Sequence, residues 1–174
     1  MTWSRTLVSA VVFAVGAVLV PGVAQADVVQ ADVVQADVMT PELEAPCSAD
    51  LKGAMTLLPD EQTYVICQEE IFARYVWRAA PVPFEPNSTW LSYGPTITLH
   101  GQGMRNPNLS SGRWTATPLD PETVCRVQQE TVVEAGVLSS PEVFQGDPGQ
   151  PLSVEMLPQL FYAQLSGHCL WAED

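Results

Sequence analysis

Apolar and polar residues alternate with a period of two along much of this chain. From Gly112, Trp114 and Ala116 fall on one side while Arg113, Thr115 and Thr117 fall on the other, the pattern of a half-buried strand. Pro118-Leu119-Asp120-Pro121 ends it, because proline has no N–H to give to a sheet ladder. A second strand runs from Val124 to Val133, with Cys125, Val127, Thr131 and Val133 in phase and Gln128 and Glu130 opposite. Leu152, Val154 and Met156 alternate with Ser153 and Glu155, and residues 159–165 and 168–171 complete the series. Upstream, residues 54–58 and 63–67 are apolar runs rich in β-formers, separated by Pro59-Asp60-Glu61-Gln62, which predicts a hairpin.

The remaining stretches are less regular. Residues 68–80, QEEIFARYVWRAA, fit a helix with Glu69 and Glu70 at its start and Arg74 and Arg78 near its end. They also fit a strand with Ile71, Ala73, Tyr75 and Trp77 on one face, and the aromatic and β-branched content favours the strand. Pro81, Pro83, Pro86 and Pro95 make residues 81–95 irregular, and Ile97 and Leu99 share a face of a short strand over 96–100. Residues 101–112, GQGMRNPNLSSG, read as a long exposed loop, and residues 134–151 as a second loop-like region. No segment has a 3.6-residue period with caps at both ends. The fold class expected is all-β: a small disulfide-stabilised antiparallel β-sandwich or open barrel.

The N-terminus changes the setting. Residues 1–26 have the three parts of a signal peptide: Arg5, an apolar run from Leu7 to Val20, and Ala24-Gln25-Ala26 as a cleavage site. That run is shorter than the roughly 20 residues a membrane helix needs, so no stable membrane insertion is expected. Residues 27–46 form an extended acidic lead-in carrying QADVV, QADVV and QADVM, a five-residue repeat that copies the cleavage junction. Residues 47–174 are then a single β domain. The localisation implied is secreted, extracellular or cell envelope.

Charge narrows the partners. The full chain carries 7 Lys and Arg against 20 Asp and Glu, a net −13. Removing Arg5 with the signal peptide makes it one unit more negative. Such a chain repels phosphate backbones, so nucleic acid is excluded as a partner. Solubility outside the cell explains the acidity, and a basic partner is the functional alternative. The four cysteines, Cys47, Cys67, Cys125 and Cys169, admit three pairings in an exported protein. Cys47–Cys67 with Cys125–Cys169 joins neighbouring segments without crossing and is the expected set. No C-x-x-C or H-x-x-x-H spacing exists, so no metal site and no cofactor are expected.

Chemistry is sparse. There is no G-x-S-x-G elbow, no H-E-x-x-H, no phosphate loop and no dinucleotide fingerprint. His100 with Ser92 and an acid would suit a hydrolase, but no spacing selects them. His168 and Cys169 are adjacent, yet a disulfide removes the thiolate a nucleophile needs. Asn87-Ser88-Thr89 and Asn108-Leu109-Ser110 match the N-glycosylation pattern and ordinary turn composition alike. Trp90 and Tyr93 lie in the proline-rich stretch and are candidates for a sugar-binding platform, although core packing is the common fate of such rings.

GMRNPNL, then GRWTATPLDPETVC, PGQPLSVEMLP and a closing SGHCLW together resemble small exported proteins of mycobacteria and related actinobacteria that have no assigned biochemical function. The resemblance covers roughly Thr96 to Trp171. It implies a bacterial source and an envelope or extracellular setting, makes the glycosylation patterns incidental, and carries over no catalytic residue. The function expected is a non-catalytic binding module with an unknown protein or glycan partner. Its contact surface is loops 81–95 and 101–112, with Trp90, Tyr93, Arg105, Asn106 and Asn108 as binding residues. An envelope hydrolase using His100 and an exported protease inhibitor with a rigid bait loop are the alternatives.

Overall fold

The computed structural model describes residues 40–174. The signal-peptide reading and the QADVV repeat lie outside the described residues. Ten strands make one unclosed sheet: β1 (Met55–Leu57), β2 (Tyr64–Glu69), β3 (Tyr75–Ala79), β4 (Thr89–His100), β5 (Gly112–Pro118), β6 (Arg126–Glu134), β7 (Val137–Leu138), β8 (Glu142–Gln145), β9 (Leu152–Met156) and β10 (Leu160–Glu173). No α-helix occurs among the described residues, so the all-β expectation holds. The sheet is mixed rather than wholly antiparallel, because β1 lies parallel to β4 with Met55 opposite Trp90.

Strand β10 is the spine. It runs antiparallel to β4 from Tyr162–His100 to Ala172–Thr89. Its other edge is shared: β6 pairs with residues 160–166 and β5 with residues 169–173, both antiparallel. Strands β5 and β6 therefore run in the same direction, end to end, along one edge of β10. The Leu119–Cys125 stretch between them is an excursion, not a reversal. The sheet forks there, with β9 added outside β5 and β8 outside β6. Gly167 makes the excursion possible. Its φ is +92°, and a Cβ there would sit 2.4 Å from the Val124 carbonyl oxygen. The Cys125–Cys169 disulfide crosses the fork, and Cys47–Cys67 ties the N-terminal segment to β2, so both expected pairings are present.

Strand β4 carries a bulge. Gly94 pairs with Gly167 and Ile97 with Leu165, leaving Pro95 and Thr96 opposite Ser166 alone. An extra residue flips the side-chain phase. Trp90 faces the main core before the bulge, and the odd-numbered Ile97 and Leu99 face it afterwards. Pro95 is tolerated because a bulge leaves its residue out of the ladder.

Two cores result. The larger gathers Trp90, Trp114, Trp171, Leu99, Leu109, Leu165 and the Cys125–Cys169 sulfurs. The smaller gathers Val65, Cys67, Trp77, Leu91 and Tyr93, with Cys47 and Leu51 partly buried against it. The 54–67 hairpin is present, with Asp60 accepting the backbone N–H of Gln62 and Thr63. Four sequence expectations change. Residues 68–80 are not one strand: β2 ends at Glu69, a turn spans 70–74, and Ile71 and Ala73 face solvent rather than joining Trp77. Residues 89–95 are strand, not loop, and the 134–151 region contains β7 and β8. Within the expected lead-in, Glu44 to Cys47 hydrogen-bonds along β3, through Glu44 N–H to the Trp77 carbonyl and Trp77 N–H to the Ala45 carbonyl.

Candidate functional site

Three of the five expected binding residues are structural. Trp90 is 0 % exposed; its Nε1–H donates to the Asn87 carbonyl at 3.1 Å. Tyr93 is 4 % exposed, and its hydroxyl donates to the Leu57 carbonyl at 2.9 Å. Neither can offer a ring to a sugar. The bulge lets a proline-containing segment remain in the sheet, and alternation along it turns Trp90 into the larger core and Tyr93 into the smaller. Asn108 is buried too. Its Oδ1 accepts the His100 N–H at 3.0 Å, and its own N–H donates to the His100 carbonyl at 2.8 Å. It pins the 101–112 loop to the end of β4.

Arg105 and Asn106 are exposed, and the pinned loop places them on one wall of a cleft of about 310 Å³. Val82, Pro83 and Phe84 from the proline-rich loop line the same cleft, as does Tyr64. The Tyr64 and Phe84 rings meet edge to face at 5.1 Å, with Trp90 at 6.0 and 6.3 Å behind them. Asn106 has φ +55°, a left-handed conformation that asparagine accepts more readily than most residues. Burial raises the Tyr64 pKa above its ordinary value of 10.0. Tyr64 and His100 also border a second hollow of about 360 Å³, lined by Leu57, Glu61, Thr96 and Thr98. Two loops distant in sequence thus converge on an aromatic pair flanked by a guanidinium, amides and hydroxyls. That combination suits a ligand with an apolar face and hydrogen-bonding edges.

Sequence reasoning missed Tyr64 and Phe84. Phe84 had a signal, since it is the one aromatic in the Pro81–Pro86 run. Tyr64 had none, because its position at the start of β2 faces the cleft only once β4 lies beside β1.

The nucleophile constellations do not assemble. Ser92 and His100 sit on the same strand eight residues apart, about 26 Å at the usual rise per residue. Ser92 is buried, accepting the Trp171 Nε1–H at 2.9 Å, whereas His100 is exposed. Cys169 is in a disulfide, and His168 Nδ1 lies 3.5 Å from Asp120 Oδ2 instead. Glu69 is paired with Lys52 at 2.6 Å, and Glu70 with Arg78. Both glycosylation patterns are engaged internally: the Asn87 amide donates to the Gly53 carbonyl at 3.1 Å, and Asn108 is buried as described. No protein-family model, curated protein or solved structure matches this chain.

Proposed function

We propose that the chain is an exported, non-catalytic binding module of the cell envelope or extracellular medium, with the Tyr64–Phe84 cleft as its contact surface. The convergence of the 81–88 and 101–109 segments on those two rings carries the reading. The cleft is built on rigid supports, since Asn108 locks one loop and the Tyr64–Phe84–Trp90 cluster locks the other. Exposed Arg105 and Asn106 supply the polar contacts. A glycan or a protein segment meets these requirements. Two disulfides, and the lack of a helix long and apolar enough to cross a membrane among the described residues, support the exported setting. The hydrolase alternative loses its serine, because Ser92 is buried far along β4 from His100.

The test is a glycan array and an affinity capture run with the natural chain, Arg105→Ala and Asn106→Ala. Arg105→Ala is expected to keep the melting temperature within about 2 °C, as surface changes do, and Asn106→Ala to stay folded with a loss of about 1 kcal/mol from its left-handed φ. Both are expected to lose ligand at least tenfold. Variants that bind as the natural chain does would sink the reading, as would variants that unfold.

A further inference from the structure

The turn between β2 and β3 presents apolar side chains outward. Phe72 is 97 % exposed and Ile71 78 %, the two most exposed large apolar residues among those described. Phe72 (φ +65°) and Ala73 (φ +54°) are both left-handed, a conformation that disfavours any residue with a Cβ. Glycine would suit either position, yet the sequence has an aromatic and an alanine.

The turn is held from below. Glu70 N–H donates to the Arg74 carbonyl at 2.6 Å and closes its base. The Arg78 guanidinium binds the Glu70 carboxylate and reaches Glu44 at 3.1 Å. Arg74 lies 3.7 Å from Glu70, and Lys52 holds Glu69 at 2.6 Å. The Cys47–Cys67 disulfide anchors β2 just before the turn. Tyr64 is at the other end of β2, about 17 Å away by strand rise, so this surface is separate from the cleft.

We infer that Ile71–Phe72 is a docking knob that enters a preformed apolar pocket on a basic protein partner. Rigidity selects a pocket over a lipid surface. A strained, ion-braced turn fixes the shape of the knob before binding and lowers the ordering penalty of a shaped contact. A fluid bilayer gains nothing from that. Charge selects the partner. Lys52, Arg74 and Arg78 are balanced locally by Glu44, Glu69 and Glu70, while the whole chain carries −13. The knob can enter an apolar pocket without bringing net charge, and the surrounding acidity steers it toward a basic rim. The same acidity repels anionic lipid and a second copy of the chain. A peptidase active site is a poorer fit, because a substrate-like insertion needs extended backbone and Phe72 is left-handed.

The experiment places a photo-reactive benzoylphenylalanine at position 72, or at exposed Val133 as a control, in the full chain, and irradiates it in extract and medium of the source cells. The expected result is one protein adduct from position 72 and none from 133. The natural chain should compete it away, Phe72→Ala should not, and raising the salt should weaken it. Phe72→Gly should melt no lower than the natural chain, which separates docking from folding. Adducts equal at 72 and 133, no adduct, or competition by Phe72→Ala would each overturn the inference. So would Phe72-dependent co-sedimentation with phosphatidylcholine or phosphatidylglycerol vesicles, or Phe72-dependent self-association by sedimentation.

Discussion

The chain uses one turn chemistry twice, to opposite effect. Asp60 accepts the N–H groups of Gln62 and Thr63 and the Thr63 hydroxyl. Asp120 accepts the N–H groups of Glu122 and Thr123 and the Thr123 hydroxyl. The first turn reverses the chain, so that β2 pairs with β1. The second does not reverse it: β6 continues along β10 in the direction of β5. Identical local capping therefore does not decide where the next strand pairs. The distant partners do, namely Gly167, which lets Val124 pass, and Cys169, which holds Cys125. The first turn is a local device; the second depends on residues more than 40 positions away.

The disulfides give the strongest test of that contrast. Cys125–Cys169 spans 44 residues and Cys47–Cys67 spans 20, which in the loop-entropy description correspond to about 4 and about 3 kcal/mol. Denaturant titration of the Cys125→Ser/Cys169→Ser pair is expected to show the larger loss. Equal losses would mean the fork is held mainly by packing. Gly167→Ala comes next. Its Cβ would collide with the Val124 carbonyl and approach Cys169 Sγ at 3.1 Å, so a loss of about 1–3 kcal/mol is expected, as for other overpacked sites. Gly94→Ala meets open space and should lose less, about 1 kcal/mol from its left-sided φ alone. If the two are equal, steric passage at the fork is not what matters.

The smallest effect concerns the two aspartates. The Thr123 hydroxyl, then the backbone N–H groups and His168, hold the Asp120 pKa below the ordinary value of 3.8. A carboxylate with a lowered folded pKa adds stability above its unfolded value and loses it as pH falls through the folded one. Asp120→Ala is thus expected to lower stability by about 1 kcal/mol at pH 7, with the gap to the natural chain narrowing below pH ~4. Thr63 likewise lowers the Asp60 pKa, but that carboxylate is fully exposed, so Asp60→Ala should shift the same melt less. A pH-independent gap at Asp120 would show that its charge is not engaged.

Alternation made the strands around Trp114, Val127 and Val154 legible, and the non-crossing logic gave both disulfides. What stayed hidden was set by contacts across the sheet. Pro95 looked like a strand breaker because nothing local reveals a bulge whose partner, Ser166, lies far downstream. With Pro81, Pro83 and Pro86 just upstream, that residue concealed the strand character of 89–95 and turned Trp90 and Tyr93 from core residues into apparent ligands for a partner. Ile71 was hidden differently: a strand over 68–80 would set it beside Trp77, and only the ion-braced turn shows that it points outward with Phe72. The exposure of Arg105 and Asn106 was readable because a loop rich in glycine and asparagine seldom packs inward.

The bulge in β4 also bears on how the molecule comes apart. Alternation before the bulge makes β4 contribute Trp90 to one core and Leu91 and Tyr93 to the other, and the phase switch then adds Ile97 and Leu99 to the first. Neighbouring β10 keeps one phase and reaches both cores by alternation, with Trp171 in the larger and Leu170 against the smaller. Because both cores share these two strands, residues 40–174 are expected to unfold as one cooperative unit. The amides along the β4–β10 ladder are then expected to be the slowest to exchange with deuterated solvent, released only by global opening.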